Sequence, residues 1–279
     1  MKKKTISLLI ALLLLLAAVI PASAITDGEP DGDRHPHVVL LLMDVDYQPT
    51  YRCSGTLLSP TVLLTAGHCT SNYPDEPYTG MRIYTESDID AGDGITNDYS
   101  NGTCDLGNCI EAVAWAAHPD YETASFIYHD VGIVILEEPG FLLDEYGVLP
   151  ELNIIDTLET GKKMGAKFTS VGYGLQASYP DGAPWEIQAD RVRMVAYPFL
   201  INKTGFVNPF AMLLSNNNST GGTCFGDSGG PNFLGDSNIV AGVTSFGMNE
   251  RCAGTGGVYR MDNAEVQEFV CDFAEIGCE

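Results

Sequence analysis

Short apolar runs recur along the 279 residues, and turn-forming residues close nearly all of them. Residues 38–43 (VVLLLM), 62–66 (VLLTA), 131–136 (VGIVIL), 167–173 (KFTSVGY) and 239–246 (IVAGVTSF) are rich in Val, Ile and Leu, with Gly, Pro, Asn and Asp between them. Most are too short for helices, so the pattern predicts an all-β barrel or sandwich. One segment has another period. From Asn263 to Phe273 (NAEVQEFVCDF), Val266, Phe269, Val270 and Phe273 fall at i, i+3, i+4 and i+7, which predicts a terminal helix. Residues 137–152 keep neither period and read as a link between two halves, and no internal repeat is evident.

The start of the chain is patterned for export. Lys2, Lys3 and Lys4 precede a fifteen-residue stretch, 6–20, dominated by Leu, Ile and Ala; Pro21 ends it, and Ala22-Ser23-Ala24 supplies the small residues of a signal-peptidase cut. Fifteen helical residues rise roughly 22 Å, short of a ~30 Å hydrocarbon core, so an uncleaved anchor is the weaker reading. The sequence therefore predicts a signal peptide at 1–24 and an extracellular chain of 255 residues starting at Ile25.

Charge narrows the partners. Without the three leading lysines the chain carries 11 basic and 37 acidic residues, a net −26, which argues against nucleic acid or anionic lipid as a partner. Eight cysteines in an exported chain read as disulfides, and no C-x-x-C or H-E-x-x-H pattern suggests zinc. Residues 85–109 are acidic and Gly-rich, and Cys104 and Cys109 close them. Asp88, Asp90 and Asp93 there suggest a structural calcium, but their spacing fails the EF-hand pattern and a solvated loop is the simpler expectation. No cofactor is expected to be required. The sequons at Asn101, Asn202, Asn217 and Asn218 mark stretches expected at the surface.

Candidate chemistry centres on residues 221–231, GGTCFGDSGGP. Gly226 to Gly230 satisfy G-x-S-x-G, the elbow of α/β-hydrolases, but that fold places its His after the Ser. All five histidines (35, 37, 68, 118 and 129) precede Ser228. An Asp-His-Ser order would need strand–helix alternation that is missing. The order that remains is His, Asp, Ser. His68 lies in TAGHC (65–69), sixteen residues after Cys53, and a Cys53–Cys69 bridge would pin it, contributing roughly 3 kcal/mol by loop entropy. Asp130 directly precedes the apolar run VGIVIL, and His118 and His129 read as structural, one in a turn and one at a strand.

TAGHC, HDVGIVIL (129–136) and CFGDSGGP (224–231), in that order, resemble the trypsin/chymotrypsin family of serine peptidases. His118-Pro119-Asp120-Tyr121, Val171-Gly172-Tyr173-Gly174, Ser245-Phe246-Gly247 and Gly257-Val258-Tyr259 resemble further anchors of that family, so the likeness spans nearly the whole exported chain. It implies a chymotrypsin-like fold: two six-stranded antiparallel Greek-key barrels, about 25–140 and about 141–279, with a short C-terminal helix. It implies a secreted endopeptidase, a monomer acting on protein or peptide substrates, with Ser228 as nucleophile, His68 as general base and Asp130 as its orienting carboxylate. The N–H groups of Gly226 and Ser228 would form the oxyanion hole. An esterase using the same triad and a non-catalytic binding protein on the same scaffold are the alternatives.

The resemblance also implies a substrate pocket of Gly222, Thr223, Ser245, Phe246, Gly247 and Gly257. Its floor, Gly222, carries no acid, so an uncharged, medium-to-large apolar side chain is expected there. Cys224–Cys252 matches the family's bridge beside that pocket, and proximity pairs Cys104 with Cys109 and Cys271 with Cys278. The family's Cys before the nucleophile loop is missing, since residues 212–215 read MLLS, which predicts a looser pocket. Ile25-Thr26-Asp27-Gly28 resembles the family's IVGG, whose freed ammonium pairs with the residue here numbered Asp227. Because no residue separates the expected cut from Ile25, signal peptidase itself is expected to activate the enzyme.

Overall fold

A computed structural model describes residues 25–71, 77–89, 104, 109–121, 128–161, 165–178, 187–188, 190–204 and 210–274. Asp90, Asp93, Asn101, Cys278 and the signal segment 1–24 lie outside them.

The first unit is a closed antiparallel barrel of six strands: β2 (Val38–Val45), β3 (Gln48–Leu57), β4 (Val62–Thr65), β5 (Tyr78–Tyr84), β6 (Ile110–Ala117) and β7 (Gly132–Leu136), in the order β2-β3-β4-β7-β6-β5. Its first strand explains the unbroken apolar run at 38–43. Val39, Leu41 and Met43 point into the barrel core with Leu63, Ile83 and Val134, whereas Val38, Leu40 and Leu42 point the other way and are equally buried. Side chains on a strand alternate faces, and here both faces are covered, so no polar alternation survives.

The second unit is an eight-stranded sheet. Its members are β1 (Glu29–Pro30), β8 (Phe168–Gly172), β11 (Met194–Ala196), β12 (Leu200–Asn202), β13 (Ala211–Asn216), β14 (Pro231–Leu234), β15 (Val240–Gly247) and β16 (Gly254–Arg260), in the order β1-β11-β8-β14-β15-β16-β13-β12. This differs from the six-stranded barrel expected. Pro198 lies between β11 and β12 and has no N–H for a ladder. The two pieces flank that break; β12 ends the row on one side, and β11 lies next to the last strand, β1, on the other. Hydrogen bonds from Phe168 N to Pro198 O (2.9 Å) and from Leu200 N to Ala166 O (2.9 Å) draw the ends together. The added strand, β1, comes from the segment next to Ile25 and pairs with β11. A two-stranded ribbon, β9 (Ala177–Ser178) with β10 (Ile187–Gln188), stands apart.

Two short helices, α1 (Gly67–Thr70) and α2 (Ile154–Thr157), precede the terminal helix α3 (Ala264–Ala274). The side chain of Asn263 caps α3, accepting the Val266 N–H at 3.0 Å. Val266 and Val270 are fully buried among Val131, Ile133, Phe233 and Tyr259, with Phe269 and Phe273 half-buried beside them. That cluster joins residues of the barrel, the sheet and the helix, so the helix docks by the stripe its sequence shows.

Candidate active site

Strand pairing sets the site. β4 and β7 are antiparallel with Thr65 opposite Gly132, so α1, following β4, and Asp130, preceding β7, meet at one barrel end. There Asp130, fully buried, accepts the backbone N–H of His68 at 2.8 Å through Oδ1. The His68 Nδ1 lies 3.1 and 3.0 Å from its two carboxylate oxygens. The hydroxyl of Ser245 donates to Oδ2 at 2.5 Å. Burial works against a charged imidazole, but the charge and hydrogen bond of Asp130 outweigh it and hold the His68 pKa above the ordinary histidine value. The Cys53–Cys69 disulfide ties α1 to β3 beside it.

Ser228 approaches from the other unit, on the loop between β13 and β14. Its carbonyl accepts the Ser54 N–H at 2.8 Å, and Gly229 N donates to Thr244 O at 2.8 Å. Ser228 and His68 both line one cavity of about 350 Å³, with Thr223, Phe225, Ser245, Phe246 and Gly247. Among the described residues the His68 side chain hydrogen-bonds to Asp130 alone, and Ser228 lines the same cavity. Gly226 has φ +94°, which only glycine adopts freely, and an added Cβ would lie 3.0 Å from Gly174 Cα. Two hydrogen bonds to Ser54 brace the loop: its hydroxyl donates to Gly226 O at 2.9 Å and accepts Tyr173 N–H at 2.9 Å. Ser54 is a positioning residue that sequence reasoning missed, because a hydroxyl within a strand has no spacing signature.

The residue before Ser228, Asp227, is fully buried. Its carboxylate accepts the N–H of Cys224 and of Gly174, each at 2.8 Å. Burial dominates and pushes its pKa up to about 7, against those two hydrogen bonds and the charge of Arg52. Ile25 is also fully buried, packed on Met194 and Ala196. No ion pair joins Ile25 to Asp227 among the described residues; in the full-length chain the Ile25 nitrogen is a peptide amide.

The pocket differs in detail from the expectation. Thr223, Ser245, Phe246 and Gly247 line the cavity, whereas Gly222 and Gly257 are covered. A Cβ on Gly222 would meet the buried Asn216 side chain at 2.2 Å, and one on Gly257 would meet the Phe246 ring at 2.3 Å. The segment lacking its cysteine is tied by polar contacts. Asn216 Nδ2 donates to Thr223 O at 2.8 Å, Asn216 Oδ1 accepts from Thr26 Oγ1 at 3.1 Å, and Ser215 Oγ bonds Thr220 Oγ1 at 3.0 Å. Met212 and Leu214 fill the core beside Phe168 and Val258. Disulfides join Cys224 to Cys252 and Cys104 to Cys109; Cys271 is disulfide-bonded, and Cys278, with which proximity pairs it, lies outside the described residues.

A histidine held by a buried carboxylate in one β unit, sharing a cavity with a serine on a glycine-rich loop of the other, defines the serine-peptidase class. The family model described as Trypsin matches residues 28–267. The chain is 32% identical over 235 residues to a trypsin of Saccharopolyspora erythraea, covering 81% of this chain and 87% of that protein. It is 27% identical to brachyurin of Leptuca pugilator over 224 residues, 78% of this chain and 83% of that one. Among solved structures, a collagenase (HL collagenase) superposes with a TM-score of 0.66 at 18% identity, covering 91% of this chain and all of that one. The chain belongs to the trypsin family and is a serine-type endopeptidase, a hydrolase of protein or peptide substrates.

Proposed function

We propose that the chain is a secreted endopeptidase in which Ser228 attacks the scissile carbonyl, His68 takes its proton and returns it to the leaving amine, and Asp130 orients and stabilises the imidazolium. The observation that carries this reading is the His68–Asp130–Ser245 chain of hydrogen bonds facing Ser228 across one cavity. The N–H groups of Gly226 and Ser228 supply the oxyanion hole, and the positive φ of Gly226 supports that role. Such a donor is typically worth ~2.7–4 kcal/mol of barrier.

Among the described residues no acidic side chain lines the cavity, which supports an uncharged apolar residue before the scissile bond. The Phe246 ring, seated on Gly257, narrows the pocket and favours medium over large side chains there. Removal of residues 1–24 frees the Ile25 ammonium, and the buried Asp227 carboxylate is the anion that would pair with it. Export by the leading segment agrees with the disulfides and with the described residues, in which no helix is long and apolar enough to cross a membrane.

A fluorophosphonate probe tests the reading. The processed protein starting at Ile25 should be labelled on Ser228, and Ser228→Ala should not. Absence of labelling on the processed protein would favour a binding role on this scaffold. Labelling with cleavage of esters but not of peptides would favour an esterase.

A further inference from the structure

Behind the carboxylate of Asp130, facing away from His68, is a second cluster that the peptidase reading does not use. His118 and His129 stack with ring centroids 4.8 Å apart and planes at 17°. Asp120 Oδ2 lies 4.0 Å from His118 Nδ1, and Glu265 Oε1, on the first turn of α3, lies 3.5 Å from His129 Nε2. One donor atom each of His118, Asp120 and His129 falls within 4.8 Å of the others. His118, Asp120 and Glu265 open onto a cavity of about 500 Å³ that Glu268 and Asp272 also line, with no cationic side chain among the described residues. His118 is 5% exposed, so its imidazole is fixed in place while the carboxylates opposite reach solvent.

We propose that His118, Asp120, His129 and Glu265 form a zinc site that lowers peptidase turnover when filled. Two imidazoles with carboxylates are the donor set of zinc and its late first-row neighbours, whereas calcium and magnesium take oxygen alone. A tetrahedral zinc with bonds of 2.0–2.1 Å needs donors about 3.4 Å apart, so side-chain rotation closes the set. The one bond the metal displaces at His118 Nδ1 is a long one, from Asp120 N–H at 3.2 Å. A third histidine cluster, Cys53, His68 and Cys69, offers no thiolate because its cysteines are bridged to each other.

The route to turnover is short. Val131 N donates to His129 O at 2.8 Å, so Asp130 is the middle residue of a three-residue turn whose first member is a ligand. His129 holds φ +52°, unusual for a residue with a side chain. His118 N donates to Val131 O at 2.9 Å on the other side. Drawing His129 toward α3 turns this segment and misaims the carboxylate under His68.

The effect on turnover rests on the proposed role of Asp130; the metal binding does not. Cobalt added to the processed Ser228→Ala protein should give the strong visible absorption of four-coordinate ions, and zinc should displace it. Glu265→Gln, at an exposed position, and His118→Gln should each weaken zinc binding by roughly tenfold or more. In active enzyme, saturating zinc should lower kcat several-fold with little change in KM, and both variants should need correspondingly more zinc. Absence of the cobalt bands, or binding unmoved by Glu265→Gln, would overturn the site. Full occupancy without loss of kcat would overturn the coupling, and inhibition equally strong in the variants would place the cation on His68 instead.

Discussion

Ser245 Oγ donates to Asp130 Oδ2 at 2.5 Å, from a strand of the second unit to a turn of the first. The carboxylate bonded to His68 is thus itself held from across the interface between the two units. Ser245→Ala should leave Asp130 buried with one donor fewer. A charge-assisted bond of this kind is worth about 1.5–3 kcal/mol, so kcat/KM should fall by roughly tenfold or more. The acidic limb of its pH profile should move upward, because a less neutralised carboxylate holds the imidazolium more tightly. An unchanged profile with lower thermal stability would assign Ser245 to packing alone.

In the proposed mechanism His68 acts as a base only when neutral, and Asp130 raises its pKa. Activity should therefore rise with pH through a midpoint above the ordinary ~6.5 of histidine. Asp130→Asn removes the charge that offsets burial, so that midpoint should drop as kcat falls by roughly 10⁴-fold. Rates measured from pH 5 to 9 on both proteins decide this.

Asp227 gives a stability signature. Its folded pKa of about 7 exceeds its unfolded value near 4, so between those pH values the folded chain binds more protons than the unfolded one. Stability of a chain extended before Ile25 should thus fall as pH rises from 4 to 7. Pairing of the freed Ile25 ammonium with this carboxylate, as proposed, should make the loss vanish while activity appears. Urea midpoints of the two forms that run parallel with pH would contradict the pairing.

Asn216 blocks a familiar redesign. Gly222→Asp alone, meant to admit Lys or Arg, drives its Cβ into the buried Asn216 side chain, and overpacking of this kind costs about 1–3 kcal/mol. The double change Gly222→Asp with Asn216→Gly should relieve that clash, though not the lost bonds of Asn216 to Thr223 and Thr26, and shift cleavage toward basic residues. Peptide-library profiling and thermal melts of the single and double variants check both halves.

Much of this architecture is legible in the sequence because its causes are local. The i, i+3, i+4, i+7 spacing of Val266, Phe269, Val270 and Phe273 marks α3, and the same residues meet the core. The run at 38–43 marks β2, though not its eight-residue length, since Asp44 continues the strand by pairing with Arg82 at 2.6 Å. In the second unit the pattern does not show the break at Pro198 between β11 and β12, nor that the piece at 29–30 joins the sheet edge.

His68, Asp130 and Ser228 could be singled out from residue order and flanking motifs, because chain order and the missing strand–helix alternation exclude the competing folds and the glycines around Ser228 mark its loop. Asn216 beneath Gly222, the Phe246 ring on Gly257, the brace of Ser54 and the paired imidazoles of His118 and His129 could not. Ser54 and Gly226 stand 172 residues apart, and Ser245 and Asp130 stand 115 apart. Contacts of that kind depend on how two independently patterned β units dock, and a hydrophobic period records which face a side chain takes, not which distant residue it meets there. The amino-acid sequence determined the strands, the helix and the chemical groups; docking of the two units decided which groups touch.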